Sequence, residues 1–372
     1  MAAPTGEVRI ERLVAGGDGL AHLDDGRVVF VPGAFPGDLV TLEGGRGKKR
    51  WARADRWSLV EPSPDRVEPP CRWADRCGGC DWMGLDVAAQ RRAKAAIVAE
   101  ALRRTGRLQG VPETIEVVSA GPELGWRTRL RLHVVGGRVG FFARGSHDIV
   151  PVDRCVVADP RVVDEMVKVA ADPPDSDLVT IQVDRDGTTV YTGPAPFSQA
   201  NPWVNERLVA DVVSEASACG SRFLELYAGS GNFSLALARA GLSGVTVESH
   251  GAAVKEARAS AAVAGLDSVL DIRVADAAAV PAVAGVDVVV LDPPRAGARD
   301  ALEGIVRLDA RHIGYVSCDP VTLARDLSML QGEGYRLRSV LAYDMFPHTH
   351  HVETVAWMER TPARPRRGAP TS

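Results

Sequence analysis

From about residue 201 the chain alternates short apolar runs with alanine-rich stretches, and this alternation restricts its fold more than any other feature. Phe223-Leu-Glu-Leu-Tyr227, Val245-Thr-Val247, Leu270-Asp-Ile-Arg-Val274, Val286-Asp-Val-Val-Val-Leu291 and Ile313-Gly-Tyr-Val-Ser317 read as strands. Two further strand-like runs lie near 335–343 and 352–358. Strands separated by helices predict a doubly wound α/β sheet. Such sheets bind ligands beyond the carboxyl ends of their strands, so the residues just after each run are the ones to read for chemistry.

The first of these ends is Glu225-Leu-Tyr-Ala-Gly-Ser-Gly-Asn-Phe233. Gly229 and Gly231 let the backbone approach a ligand closely. The third glycine of a dinucleotide fingerprint and the lysine of a phosphate loop are both missing. Glu248 ends the next run, 21 residues past Tyr227, where a carboxylate can take both hydroxyls of a ribose. Asp276 follows the third run, within range of an adenine amino group, and Asp292-Pro-Pro follows the fourth. Each acid alone reads equally as a helix cap or a solvated charge. As a series along one edge they favour adenosine without a pyrophosphate, hence S-adenosylmethionine over a nicotinamide dinucleotide.

Asp-Pro-Pro followed by an aromatic residue marks methylation of exocyclic amino nitrogens. Here Arg295 follows, and Cys318 lies beyond the next strand. Both departures point from nitrogen to carbon. Uracil C5 is a poor nucleophile until a thiolate adds at C6, and a base must later remove the C5 proton. Cys318 is the candidate nucleophile and Glu353, in His351-Val-Glu353, the candidate base. Arg295 or a helix terminus could favour the thiolate. Cys219 reads as a packing or surface residue. His348, His350 and His351 read as structural.

The first 200 residues have a different texture. Residues 1 to about 60 are short strands and turns that predict a small barrel. Arg46-Gly-Lys-Lys-Arg-Trp-Ala-Arg-Ala-Asp-Arg56 has six basic residues and one acid beside Trp51 and Trp57. Cations can neutralise phosphates and aromatic faces can stack on bases, although a solvated basic strand has the same composition. A proline-rich joint follows at 61–70, then a helix over 86–105 with Asp86 as a possible N-cap, then a β-rich stretch over 115–195. There Arg127, Arg129 and Arg131 alternate onto one strand face, opposite Leu130 and Leu132. Cys71-x5-Cys77-x2-Cys80 brings three thiolates together, with Cys155 available as a fourth. Four thiolates suit an iron–sulfur cluster or structural zinc. One close pair with two outliers favours the cluster over the paired knuckles of a zinc ribbon.

Composition sets the outer bounds. The chain is 372 residues long, 45% hydrophobic and 25% charged, with a net charge of −4, so nucleic-acid contact must be local. No apolar run approaches the roughly 20 residues of a membrane helix. The first residues lack the apolar core of a signal peptide, which makes the cytoplasm the expected compartment.

Together these residues resemble the S-adenosylmethionine-dependent RNA uridine-C5 methyltransferases, which include bacterial enzymes for large-subunit ribosomal RNA and for the tRNA T-loop. The resemblance implies a TRAM (OB-like, RNA-binding) domain over 1–60 and a central β-rich iron–sulfur domain over 61–195, whose helix at 86–105 is expected to pack on the catalytic domain. It further implies a class I Rossmann-like methyltransferase domain over 196–360, while the proline- and arginine-rich composition of 361–372 reads as a disordered tail. Cys71, Cys77, Cys80 and Cys155 match the cysteines that hold a 4Fe–4S cluster in the ribosomal branch. Pro196-Phe-Ser-Gln-Ala-Asn201 resembles the family's Phe-x-Gln-x-Asn segment and implies that Gln199 contacts the cofactor. Tyr227, Asn232, Glu248, Asp276 and Asp292 are the other implied cofactor residues, and Ser317-Cys318 and Glu353 match the nucleophile and base. Many members read Ser-Cys-Asn-Pro, whereas this chain has Asp319. Barrel plus cluster resembles the ribosomal branch, so ribosomal RNA is the expected substrate, with tRNA the alternative and a monomer the expected state. An amino-nitrogen methyltransferase and a non-catalytic RNA-binding protein are the competing classes. A radical enzyme is disfavoured because Cys-x3-Cys-x2-Cys is absent.

Overall fold

A computed structural model describes residues 3–184, 187–193, 195 and 198–361. The chain divides into two compact units, each assembled from three segments. The first takes 3–98, the described part of 114–208, and 342–353. The second takes 99–113, 209–341 and 354–361. The proposed tail lies almost wholly outside the described residues.

The first unit opens with a six-stranded sheet. In spatial order its strands are Thr5–Arg9, Leu39–Gly47, Trp51–Glu61, Val28–Val31, Gly19–His22 and Arg12–Leu13. Alternate residues point inward, and Val8, Ile10, Val29, Val31, Val40, Leu42, Ala52 and Ala54 form one apolar core. The two long strands carry register shifts near Leu42 and Gly44. At Gly45 a Cβ would stand 2.1 Å from the carbonyl oxygen of Arg53, so only glycine allows the strands this close. The basic run 46–56 therefore lies within the sheet, as a hairpin and its second strand, with Lys48, Lys49 and Arg50 exposed at the turn.

A second sheet in this unit is antiparallel, in the order Ile149–Val150, Arg138–Phe142, Arg129–Val135, Leu178–Val183, Thr188–Thr192. Leu130, Leu132 and Val134 face the core and Arg131 faces solvent, as the alternation predicts. Arg127 lies outside that strand, and its Nε donates to the carbonyl oxygen of Arg129. Helix Pro160–Ala171 covers the sheet with Val162, Met166 and Val169. It interrupts the stretch read as β-rich. Its own start signals are plain: Asp159 accepts from the Arg161 N–H as N-cap, and proline opens the first turn.

The second unit is built on a sheet of seven strands in the order Leu270–Val274, Ser243–Glu248, Arg222–Leu226, Val288–Leu291, His312–Ser317, Glu353–Arg360, Tyr335–Tyr343. The first five run parallel, and Glu353–Arg360 runs antiparallel to His312–Ser317. Every residue of Val288–Leu291 and His312–Ser317 is buried, which explains the unbroken apolar sequence of the first and the apolar run between His312 and Ser317 in the second. Gly314 sits opposite Trp357, and a Cβ there would meet the indole at 2.7 Å. The strand order reverses between Arg222–Leu226 and Val288–Leu291, and a ligand crevice opens at such a switch point. Ala342 and Tyr343, which end that last strand and belong to the first unit, pair in parallel with Val117 and Val118 of the same unit. Among the described residues no helix is long and apolar enough to cross a membrane.

Candidate active site and cysteine cavity

The carboxyl edge of the parallel sheet collects Tyr227, Glu248, Asp276, Asp292 and Cys318, one after each of the five strands. Tyr227 has φ +61°, and Gly229 and Gly231 have φ +56° and +93°. Such a left-handed turn turns backbone N–H groups outward, and a non-glycine residue held there is a common mark of a functional loop. Glu248 steadies it: its Oε2 accepts from the Gly229 N–H at 3.0 Å, while Oε1 accepts from the His250 N–H at 2.7 Å. Asp276 is exposed and caps its own turn through the Ala278 N–H at 2.9 Å. Asn232 is half-buried at the start of the following helix.

Two acids meet beneath this edge. Burial pushes the Asp292 carboxyl up to about 7. Glu225, 1% exposed in the middle of the first strand, is pushed up to about 8. Burial is the main cause, and the charge of Asp292 adds to it, in spite of backbone N–H donors at Phe233 and Ser234. Sequence reading passed over Glu225, yet an acid inside Phe-Leu-Glu-Leu is a legible anomaly in a buried parallel strand.

Cys318 is half-buried between Ser317 and Asp319. Asp319 is the N-cap of helix Pro320–Gly332, and its Oδ1 accepts from the N–H groups of Val321 and Thr322, both at 2.9 Å. The thiol thus precedes a helix N-terminus, whose partial positive charge favours an anion. Arg295 is exposed in the loop after Asp292-Pro-Pro. That loop is clamped from below: the Ala298 N–H donates to Asp326 Oδ2 at 2.8 Å and to the Tyr315 hydroxyl at 3.0 Å, and that hydroxyl donates to Asp326 at 2.7 Å. Glu353, 8% exposed, begins the strand whose next residue, Thr354, pairs with Ser317. Cys318 is the residue after Ser317 and Glu353 the residue before Thr354, so in this antiparallel pair both candidates adjoin the same end of one rung.

Gln199 belongs to the first unit and is half-buried. Its neighbours are pinned: the Ala200 carbonyl accepts from both the N–H and the hydroxyl of Thr128, and Asn201 Nδ2 donates to the Met345 carbonyl. Pro196 and Phe197 lie outside the described residues.

In the first unit an apolar cavity is lined by Cys71, Cys77, Cys80 and Cys155, together with Arg127 and Met83. Burial raises the thiols of Cys77, Cys80 and Cys155. Among the described residues no group of three or more His, Cys, Asp or Glu is arranged to hold a metal ion. A second depression lies at the opposite, amino edge of the other unit's sheet, around Arg222, Ser243 and Leu270, and contains none of the candidate site residues.

The model of the tRNA (Uracil-5-)-methyltransferase family matches residues 177–361, and the TRAM domain model matches residues 5–54. The 23S rRNA (uracil(1939)-C(5))-methyltransferase of Pseudomonas putida is 34% identical over 94% of this chain and 92% of its own. The chain belongs to the RNA uracil-C5 methyltransferase family. An uncharacterised RNA methyltransferase of Streptomyces avermitilis is 33% identical, with 95% of this chain and 98% of that one covered. Among solved structures, the tRNA (uracil-54, C5)-methyltransferase of Pyrococcus abyssi, in complex with S-adenosyl-L-homocysteine, superposes with a TM-score of 0.73. It is 24% identical and covers 94% of this chain and all of its own, a likeness of fold. As a family member, the chain is an S-adenosylmethionine-dependent RNA methyltransferase that acts on uracil C5, and its TRAM domain is an RNA-binding module.

Proposed function

We propose that this enzyme methylates a uridine of large-subunit ribosomal RNA, with Cys318 as nucleophile and Glu353 as base. The observation that carries the assignment of roles is the antiparallel pairing of Ser317 with Thr354, after which Cys318 and Glu353 are the next residues past the same end of that rung. Ribosomal RNA is favoured because relatives aligned over nearly the whole chain are named for 23S rRNA.

In this reading the Cys318 thiolate adds to C6 of the uracil, and the C5–C6 electron pair moves onto the ring carbonyl as an enolate. Bound S-adenosylmethionine supplies a sulfonium methyl, and its C–S bond breaks onto sulfur as C5 takes the carbon. The Glu353 carboxylate then removes the C5 proton, the C5–C6 double bond re-forms and the Cys318 sulfur leaves with its electron pair. Tyr227, Asn232, Glu248, Asp276, Asp292 and Gln199 are the residues assigned to the cofactor. A base inside a helix must be flipped or taken from a loop to reach this edge.

Cys71, Cys77, Cys80 and Cys155 are assigned to a 4Fe–4S cluster. Four thiols around one apolar cavity fit such a group. The proposal places no chemical step on the cluster.

Tritium release from RNA labelled at uridine C5 tests the reading. Release that needs S-adenosylmethionine and is lost in Cys318→Ala is expected, with ribosomal RNA the better substrate. Greater release from tRNA would move the substrate to the T-loop branch, and methyl incorporation without release would move the target to another atom.

A further inference from the structure

Residues 344–352 lead from the strand Tyr335–Tyr343 to Glu353, and the first unit grips them at nearly every step. Lys94, wholly buried, donates to Asp344 at 2.6 Å and to the Phe346 carbonyl at 2.9 Å. His348 is held at φ +66°, a conformation that needs external support. Gln90 accepts from its N–H at 2.8 Å and meets its ring at 3.2 Å.

Two of the grips come from residues that directly follow Cys80. The Trp82 N–H donates to the His348 carbonyl at 3.0 Å. Asp81 takes His350 twice: its Oδ1 accepts from the backbone N–H at 3.2 Å, and its Oδ2 lies 2.6 Å from Nδ1 of the ring. A carboxylate that binds both backbone and ring of one residue fixes its position and its orientation. A further contact comes from the side: Phe346 meets Trp126 edge-on at 5.9 Å, and both pack in one cluster with Cys71, Cys80 and Cys155. The Trp82 indole meanwhile donates to the carbonyl of Gly17 at 3.0 Å, which ties the same segment to the TRAM sheet.

We infer that the segment carrying Cys80 positions the general base, with Asp81 as the positioning residue, so that the cysteine nest and its proposed cluster act as the rigid support of the Glu353 loop. The inference rests on the proposed roles of Glu353 and of the cluster. Its chemistry is specific to one step. Adduct formation needs Cys318 and methyl transfer needs the cofactor, whereas only C5 deprotonation needs Glu353 within hydrogen-bond reach of the ring. An ångström of misplacement at a reacting group costs on the order of a hundredfold in rate. Loosening His350, three residues before Glu353, should stall the reaction after methyl transfer.

The experiment mixes full-length protein, S-adenosylmethionine and unmodified ribosomal RNA, then separates denaturant-stable protein–RNA adducts on a gel and digests them for 5-methylation. Asp81→Ala should accumulate a methylated adduct at least several-fold above wild type, and Asp81→Asn, which keeps the acceptor for the His350 N–H, should fall between the two. Amide exchange of 348–351 in the free protein should quicken in Asp81→Ala, and also in wild type after anaerobic chelation of its iron. Slower turnover of Asp81→Ala with no trapped adduct would overturn the positioning role. Unchanged exchange at 348–351 after iron removal would overturn the support from the nest. Glu353→Gln serves as the reference: if it traps no methylated adduct, the assignment of the base fails, and the inference with it. A purified protein without iron would sink the cluster reading and the support drawn from it, while the Asp81 variants would still report on the loop.

Discussion

Asp319 follows the candidate nucleophile and caps the helix that begins there, so the departure from the Ser-Cys-Asn-Pro that the family resemblance led one to expect has a local explanation. Asparagine and aspartate are comparable N-caps, whereas alanine is not. Asp319→Asn should therefore leave stability within about 0.5 kcal/mol, and Asp319→Ala should cost about 1 kcal/mol in urea denaturation. Glu225 leads to a different measurement. Its carboxyl titrates near the ordinary glutamate range when unfolded but is raised to about 8 when folded, so the folded state holds the extra proton between those limits. Stability must then fall as pH rises from about 5 to 8, and Asp292, raised to about 7, adds in the same direction. The melting midpoint of wild type should drop between pH 5.5 and 8.5, and that of Glu225→Gln should drop less. Parallel curves for the two would show that the pair does not control this slope. At this scale the sequence was a good guide to position: Cys318 and Glu248 stand at strand ends on the carboxyl edge, as the reading of the runs expects. It was a poor guide to Asp81 and His350, which meet across 269 residues. Nothing local marks an acid that will find its partner that far along the chain.

Elements were legible in proportion to the regularity of their burial. The strands Val288–Leu291 and His312–Ser317 are buried along their whole length and read directly as apolar runs. Helix Pro160–Ala171 was lost inside a β-rich stretch because Val162 and Val163 suit a strand, even though Asp159-Pro160 is a helix start. The reading of Arg127 as a neighbour of Arg129 on one strand face failed for a related reason. The strand begins only at Arg129, and Arg127 instead lines the cysteine cavity. Helix Pro320–Gly332 shows how one element serves two parts of the site. Its first turn is capped beside Cys318, and Asp326, two turns on and wholly buried, clamps the loop after Asp292-Pro-Pro. Asp326→Ala would leave the Tyr315 hydroxyl buried without its acceptor and the Ala298 N–H with only the Tyr315 oxygen, a loss of about 3 kcal/mol. The Arg295 loop would be freed at the same time. Urea denaturation should show the loss, and kcat should fall further than in a surface variant such as Lys255→Ala. An unchanged denaturation midpoint would mean that the clamp is not a structural requirement.

The chain passes between its two compact units five times, at 98, 113, 208, 341 and 353. The segment 99–113 illustrates the consequence. It is far from the methyltransferase strands in sequence, yet Leu102 is wholly buried and the Gln109 N–H donates to Gln331 of helix Pro320–Gly332. At Gly106 a Cβ would stand 2.7 Å from the Ala324 carbonyl, so a backbone without a side chain lies directly against that helix. A linear reading puts the catalytic domain at 196–360, and a fragment with those limits would lack this cover. Burying a leucine is worth about 2 kcal/mol, and the fragment would expose Leu102's partners on the helix that follows Cys318. The fragment 196–361 should therefore bind an apolar dye and be cleaved within 320–332 by a protease that spares the full chain. Joining residues 99–113 to it through a flexible linker should suppress both effects. If the bare fragment resists proteolysis as well as the full chain does, the segment is a passenger. If only the joined form is resistant, the catalytic sheet depends on residues that precede it by a hundred positions, which no reading of contiguous domains would include.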